Sequence, residues 1–311
     1  GFFNVAAGLL LLGIGRRSLQ WLSYIGLAAL SIGAYELLIY RLMQAEGGSP
    51  GDGITLLAAL ALGIAALYRA FKKWAPALLN VSPASFGTIT HLHWLLGSGL
   101  CALATQAGLS QPKGIAIWTG CSLLLAGYAL SVGNRRWTPT TYLGSHTDWT
   151  WMGLGSALLA IAYDRFAWFP DRTGLLTWGG AIAAAIGIAM YYTPWEKLGW
   201  GKPWRTLALW LPMLTLTITW TLAETPTLLL VAAFYAWMAK QIRNVRLSYL
   251  SILLFDLALL DYLDARGWLT TLILSIIVGL SVLYVAEVDP YFQSSSQKEL
   301  RHWLRILASG L

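Results

Sequence analysis

Apolar runs of about 18 to 22 residues recur from one end of the sequence to the other, each long enough to cross a hydrocarbon core of about 30 Å. That feature leaves two spanning architectures, because backbone N–H and C=O groups in lipid must be satisfied within the fold. A barrel needs segments of about 10 residues with strict alternation, whereas residues 54–67 and 174–190 are nearly unbroken Ala, Leu, Ile and Gly. The sequence therefore predicts an all-α integral membrane protein. Composition agrees, with 57% hydrophobic and 11% charged residues, against roughly a quarter charged in soluble domains.

The formal net charge of +7 would suit nucleic acid, but its distribution argues against that partner. Of the 21 Lys and Arg, all but five lie in alternate gaps between apolar runs. These gaps hold Arg16-Arg17, Arg69-Lys72-Lys73, Arg135-Arg136, Lys197-Lys202-Arg205, Lys240-Arg243-Arg246 and Lys298-Arg301-Arg305. In the other gaps the remaining basic residues are offset by Glu46, Asp52, Asp171, Glu224 and Asp264. This is the positive-inside pattern, which turns the basic gaps toward the cytoplasm. It places the chain in a bacterial cytoplasmic (inner) membrane or an internal membrane, with the lipid bilayer as its first partner. A second reading of the same gaps is docking to anionic lipid or a partner protein. Cys101 and Cys121 flank the turn near Gln111-Pro112 at similar depth and read as buried thiols rather than a disulfide or metal site. The sequence starts abruptly at Gly1-Phe2-Phe3 and stops partway into an apolar run, as expected of a piece of a longer chain.

About eleven crossings are expected, with a twelfth beginning near Trp303. They fall at residues 5–14, 19–43, 54–71, 87–107, 114–132, 149–169, 174–192, 205–223, 225–239, 247–263 and 268–286, and residues 75–86 read as a surface or re-entrant segment. Residues 247–266, LSYLSILLFDLALLDYLDAR, restate residues 22–41, LSYIGLAALSIGAYELLIYR, without a gap. Both belong to a longer order: an aromatic start (Trp94, Trp210, Trp303), two crossings, a basic gap, a crossing ending in a carboxylate (Glu36, Asp164, Asp261), and a crossing ending in Tyr68, Tyr192 or Tyr284. Asp164 to Asp261, Tyr192 to Tyr284 and Trp210 to Trp303 step by about 92 to 97 positions. The expected organisation is tandem, parallel four-helix repeats in one continuous membrane domain: 1–86 a partial first unit, 87–204 a second, 205–300 a third and 301–311 the start of a further one. An even number of crossings per unit gives every copy the same orientation, unlike inverted-repeat transporters. Many of the 17 Trp sit at run ends, as an interfacial belt.

Four carboxylates are the candidate functional residues. Asp256 lies midway along a crossing, where a charge is costly and usually faces the bundle interior. It reads as a proton relay or substrate contact, or as a neutral acid bonded to Ser251 or Ser275. Glu36, Asp164 and Asp261 recur once per unit near the acidic boundary, which favours a structural clasp over a catalytic acid. Arg41 and Arg266, five residues beyond two of them, are a candidate ion-pair clasp toward a neighbouring loop. His91 and His93 in THLHW point to opposite sides of a helix; His93 and its counterpart His302 are candidate axial ligands for haem or chlorophyll. No Walker loop, nucleophile elbow, HExxH, CxxC or dinucleotide fingerprint occurs, so no catalytic or metal residue and no cofactor is assigned. The expected role is a non-catalytic scaffold or accessory subunit among other membrane subunits. The alternatives are a transporter or flippase using Asp256 and the boundary carboxylates, and a haem- or chlorophyll-binding subunit.

Overall fold

The apolar runs are helices in the computed structural model, and no strand occurs among the described residues. The structure describes residues 1–17, 19–110, 112–139, 141, 143–168, 176–293 and 297–310, with the backbone alone given for 162–168, 291 and 310. In chain order the helices are α1 (Phe2–Gly15), α2 (Gln20–Met43), α3 (Pro50–Phe71), α4 (Ala75–Leu79), α5 (Pro83–Ala107), α6 (Pro112–Gly133) and α7 (His146–Trp168). There follow α8 (Gly179–Tyr192), α9 (Trp195–Leu198), α10 (Pro203–Ile218), α11 (Thr225–Ile242), α12 (Val245–Ala265), α13 (Thr271–Val288), α14 (Pro290–Gln293) and α15 (Lys298–Gly310).

Two compact units result, one of Gly1–Pro170 with Pro194–Pro203, the other of Asp171–Thr193 with Trp204–Leu311. The division falls inside the segment 87–204 that the sequence marks as one repeat.

In the first unit α1 and α2 pack along small residues: a Cβ on Gly26 would stand 2.9 Å from the Gly8 carbonyl oxygen. Close backbone contact of this kind supplies the dispersion that the hydrophobic effect cannot supply between helices in lipid. Helix α3 begins four residues before the apolar run at 54 because Ser49 caps it. The Ser49 amide donates to Asp52 (3.1 Å), the Asp52 amide to Ser49 Oγ, and Pro50 occupies the first turn, where its missing N–H costs nothing. Against α3 lie α5 and α6, and α7 lies against α6. Their core joins Ala58, Leu62, Trp94, Leu125, Val132 and Trp149, and it contains the free buried thiols Cys101 and Cys121. Two indoles bond across it reciprocally, Trp94 Nε1 to the Leu125 carbonyl and Trp118 Nε1 to the Cys101 carbonyl, each at 3.1 Å.

In the second unit α8 and α12 flank α11, which is fully buried at Val231, Tyr235 and Met238. The Tyr235 hydroxyl donates to the Leu209 carbonyl at 2.8 Å, and Ser251 Oγ to the Ala232 carbonyl at 2.7 Å. Helix α15 runs back along α13. Arg301 and Arg305 pair with Glu287 at one end, and a Cβ on Gly279 would stand 2.6 Å from the Ala308 carbonyl further along.

Short helices follow the long ones at the basic gaps. After α3, α4 ends on Asn80 in the left-handed region (φ 54°), and the Asn80 amide group donates to the Gly15 carbonyl (3.1 Å) in the α1–α2 turn. Following α8, α9 ends on Gly199 (φ 95°), whose carbonyl accepts from the Arg135 amide (2.9 Å) in the α6–α7 connection. Behind α13, Asp289 at the head of α14 accepts from Tyr249 (2.5 Å), next to the α11–α12 turn. The segment expected to be surface or re-entrant, residues 75–86, is thus α4 and the first turn of α5.

Among the described residues, α2, α3, α6 and α13 are long and apolar enough to cross a membrane. Helices α1 and α8 are apolar but have 14 residues each. Helices α5 and α12 are also long and carry polar groups within them, such as His91, His93, Asp256 and Asp261.

Candidate functional site

Each described carboxylate singled out by the sequence has a partner of its own on a neighbouring helix. Glu36 on α2 accepts from Asn4 Nδ2 of α1 (2.8 Å) and meets the amino group of Gly1. Asp261 on α12 accepts from the Thr225 hydroxyl at the head of α11. Each joins the far half of one helix to the start of the helix before it. Asp256 accepts from Ser281 on α13, whereas Ser251 and Ser275, the partners expected from sequence, bond to the carbonyls of Ala232 and Thr271. The side chain of Asp164 lies outside the described residues. The Arg266 guanidinium lies over the rings of Tyr262 (4.8 Å) and Trp268 (5.6 Å), a cation–π arrangement rather than a carboxylate pair. Arg41 stands in the last turn of α2, where a cation favours the helix dipole.

The two histidines of α5 face different neighbours. His93 Nδ1 lies 2.9 Å from the Ile89 carbonyl and Nε2 lies 3.1 Å from Ser31 Oγ, between the rings of Tyr35 and Tyr68. With both ring nitrogens engaged, axial ligation by His93 would require breaking one of these bonds. His302 is exposed on α15. His91 is buried against Trp149, and its Nδ1 lies 2.7 Å from the Tyr128 hydroxyl.

Basic side chains gather at a cavity of about 260 Å³ in the first unit, where the basic end of α3 meets α5, α6 and the α6–α7 connection. Arg69, one turn from the end of α3, donates through Nε to Ser131 Oγ (3.2 Å) and through Nη2 to the Ser131 carbonyl (3.0 Å) and to Thr138 Oγ1. Lys72 donates to the Trp137 carbonyl at 2.9 Å. Burial first, then the neighbouring charges of Arg69 and Lys73, pull the Lys72 ammonium from its ordinary value of 10.5 down to about 8. His91 and Tyr128 form the inner wall. Sequence reasoning took Arg69-Lys72-Lys73 as a topology signal. What it missed is the pair Ser131 and Thr138, which comes to the same basic end and fixes the guanidinium.

His146 and Asp148 open α7. Ser145 and Asp148 cap it reciprocally, the Ser145 amide donating to Asp148 at 2.8 Å and the Asp148 amide to Ser145 Oγ at 3.2 Å. The spacing Ser-x-x-Asp, also present at Ser49 and Asp52, was the available signal.

These features define a class. The chain is an all-helical protein with four helices fit to cross a membrane, and large apolar side chains such as Leu159 and Leu272 stand about 70% exposed on its helices. Comparison with protein-family models, with curated proteins and with solved structures returned no match.

Proposed function

We propose that the chain is a non-catalytic scaffold or accessory subunit of a larger membrane assembly, built from tandem four-helix repeats with the basic gaps on the cytoplasmic side. The observation that carries this reading is the common bond of the repeated carboxylates: Glu36 to Asn4 and Asp261 to Thr225, each linking a helix to its predecessor. A catalytic acid is needed once, whereas a clasp is needed in every copy. Recurrence of packing supports the same view. The pairs α1–α2, α6–α7 and α11–α12 take corresponding places in the repeat, as do α3–α6 and α8–α11, and α4, α9 and α14 each follow the closing helix of a unit. On this pattern about eleven helices cross the bilayer and α15 begins a further crossing.

The transporter reading would draw on Asp256, but its carboxylate is engaged by Ser281 and does not line the cavity at the basic end of α3. Purification from native membranes separates the readings. A scaffold comes away with membrane partners in fixed stoichiometry, unchanged by Asp256→Asn. A solitary monomer sinks the proposal, and loss of a transport phenotype in Asp256→Asn with assembly intact replaces it with the transporter.

A further inference from the structure

The cavity at the basic end of α3 gathers positive charge that the protein does not neutralise. Arg69, Lys72 and Lys73 line it, no carboxylate does, and none of the three has an ion-pair partner among the described residues. Arg69 is only partly exposed, and a guanidinium withdrawn from water without a counter-charge is costly. Its Nε and Nη2 are occupied by Ser131 and Thr138, which fixes the fork, and Nη1 has no bond partner among the described residues. A fixed fork with a free arm beside two ammonium groups is a geometry suited to phosphate oxygens. Beside Thr90, His91 and Thr138, the rest of the lining is mainly apolar and aromatic, with Pro83, Phe86 and Trp137 among it. A wholly hydrated anion would gain little from such walls, whereas a headgroup continuous with a glycerol backbone fits both halves.

We infer that this cavity binds a phosphate group, carried by the headgroup of an anionic phospholipid. The lipid source rests on reading α3 as a membrane crossing, which is tested separately by side-specific labelling described below. The phosphate chemistry does not depend on the scaffold reading.

The probes are mixed micelles of detergent with dioleoylphosphatidylglycerol or dioleoylphosphatidylcholine, and inorganic phosphate without lipid. Retained lipid is read by native mass spectrometry and stabilisation by the unfolding temperature. Wild type retains phosphatidylglycerol in preference to phosphatidylcholine and unfolds at higher temperature with it. Lys72→Gln and Lys73→Gln, which leave the bonds of Arg69 to Ser131 and Thr138 in place, each weaken that retention about fivefold. Arg17→Gln, a basic-gap residue outside the cavity, leaves it unchanged. Equal retention of the two lipids, both of which carry a phosphate, overturns the assignment to an anionic headgroup, and a preference that survives both lysine substitutions overturns the site. Stabilisation by inorganic phosphate with no response to phosphatidylglycerol overturns the lipid assignment.

Discussion

Lys72 gives the cavity a dependence on pH. A lysine with its usual value near 10.5 would stay charged throughout the neutral range, but here burial and the Arg69 and Lys73 charges set the midpoint at about 8. The shift disfavours the cation, so the proton is held below about pH 8 and lost as pH rises through it. Arg69 and Lys73 on α3, His91 on α5 and Tyr128 on α6 face the same space, with no carboxylate among them. Retention of phosphatidylglycerol is therefore expected to fall between about pH 7 and about pH 9, and Lys72→Arg, charged throughout, flattens the fall. A profile identical in the two proteins would show that Lys72 does not set it. This site was hidden in the sequence for a definite reason. Ser131 and Thr138 lie 62 and 69 positions from Arg69, and nothing local says which later helix packs against α3. The clasps of Glu36 and Asp261 were half legible in the same way: recurrence marked the carboxylates, while Asn4 and Thr225 became visible only once α1 lay beside α2 and α11 beside α12.

Whole helices were easier to read than their partners, because length and hydrophobicity in lipid are properties of a contiguous run. Their starts were less legible. Ser49 and Pro50 carry α3 four residues ahead of its apolar stretch, and Ser145 opens α7 at His146 rather than Trp149. How tightly two helices approach also depends on facing residues far apart in sequence. Gly26→Ile puts a Cβ within 2.9 Å of backbone atoms of Gly8 and Leu12, so α1 and α2 must separate. The expected loss is about 1–3 kcal/mol, measured by reversible unfolding in bicelles. Gly13→Ala, whose Cβ meets nothing within 4 Å, is the control and should be neutral or slightly stabilising. Equal losses at both positions would mean that helix flexibility, not close packing, explains the glycine.

For the molecule as a whole, the first question is which ends of the helices share a side of the membrane. The native thiols are buried, so single cysteines can be placed without background. With a membrane-impermeant maleimide on intact cells, Glu46→Cys before α3 is expected to react, and Lys73→Cys after it only once the cells are opened. Reaction of both from the same side would mean that α3 does not cross. The short helices at the basic gaps bear on how such a chain is made. Asn80 closes onto Gly15, and Leu198 onto Asn134, across 65 and 64 positions, and in both cases the segment that docks is the later one. Its receptor is already synthesised when the docking segment leaves the ribosome, so each closure needs nothing from downstream sequence. A chain whose later segments dock on finished ones in this way can lock its helices in place during translation.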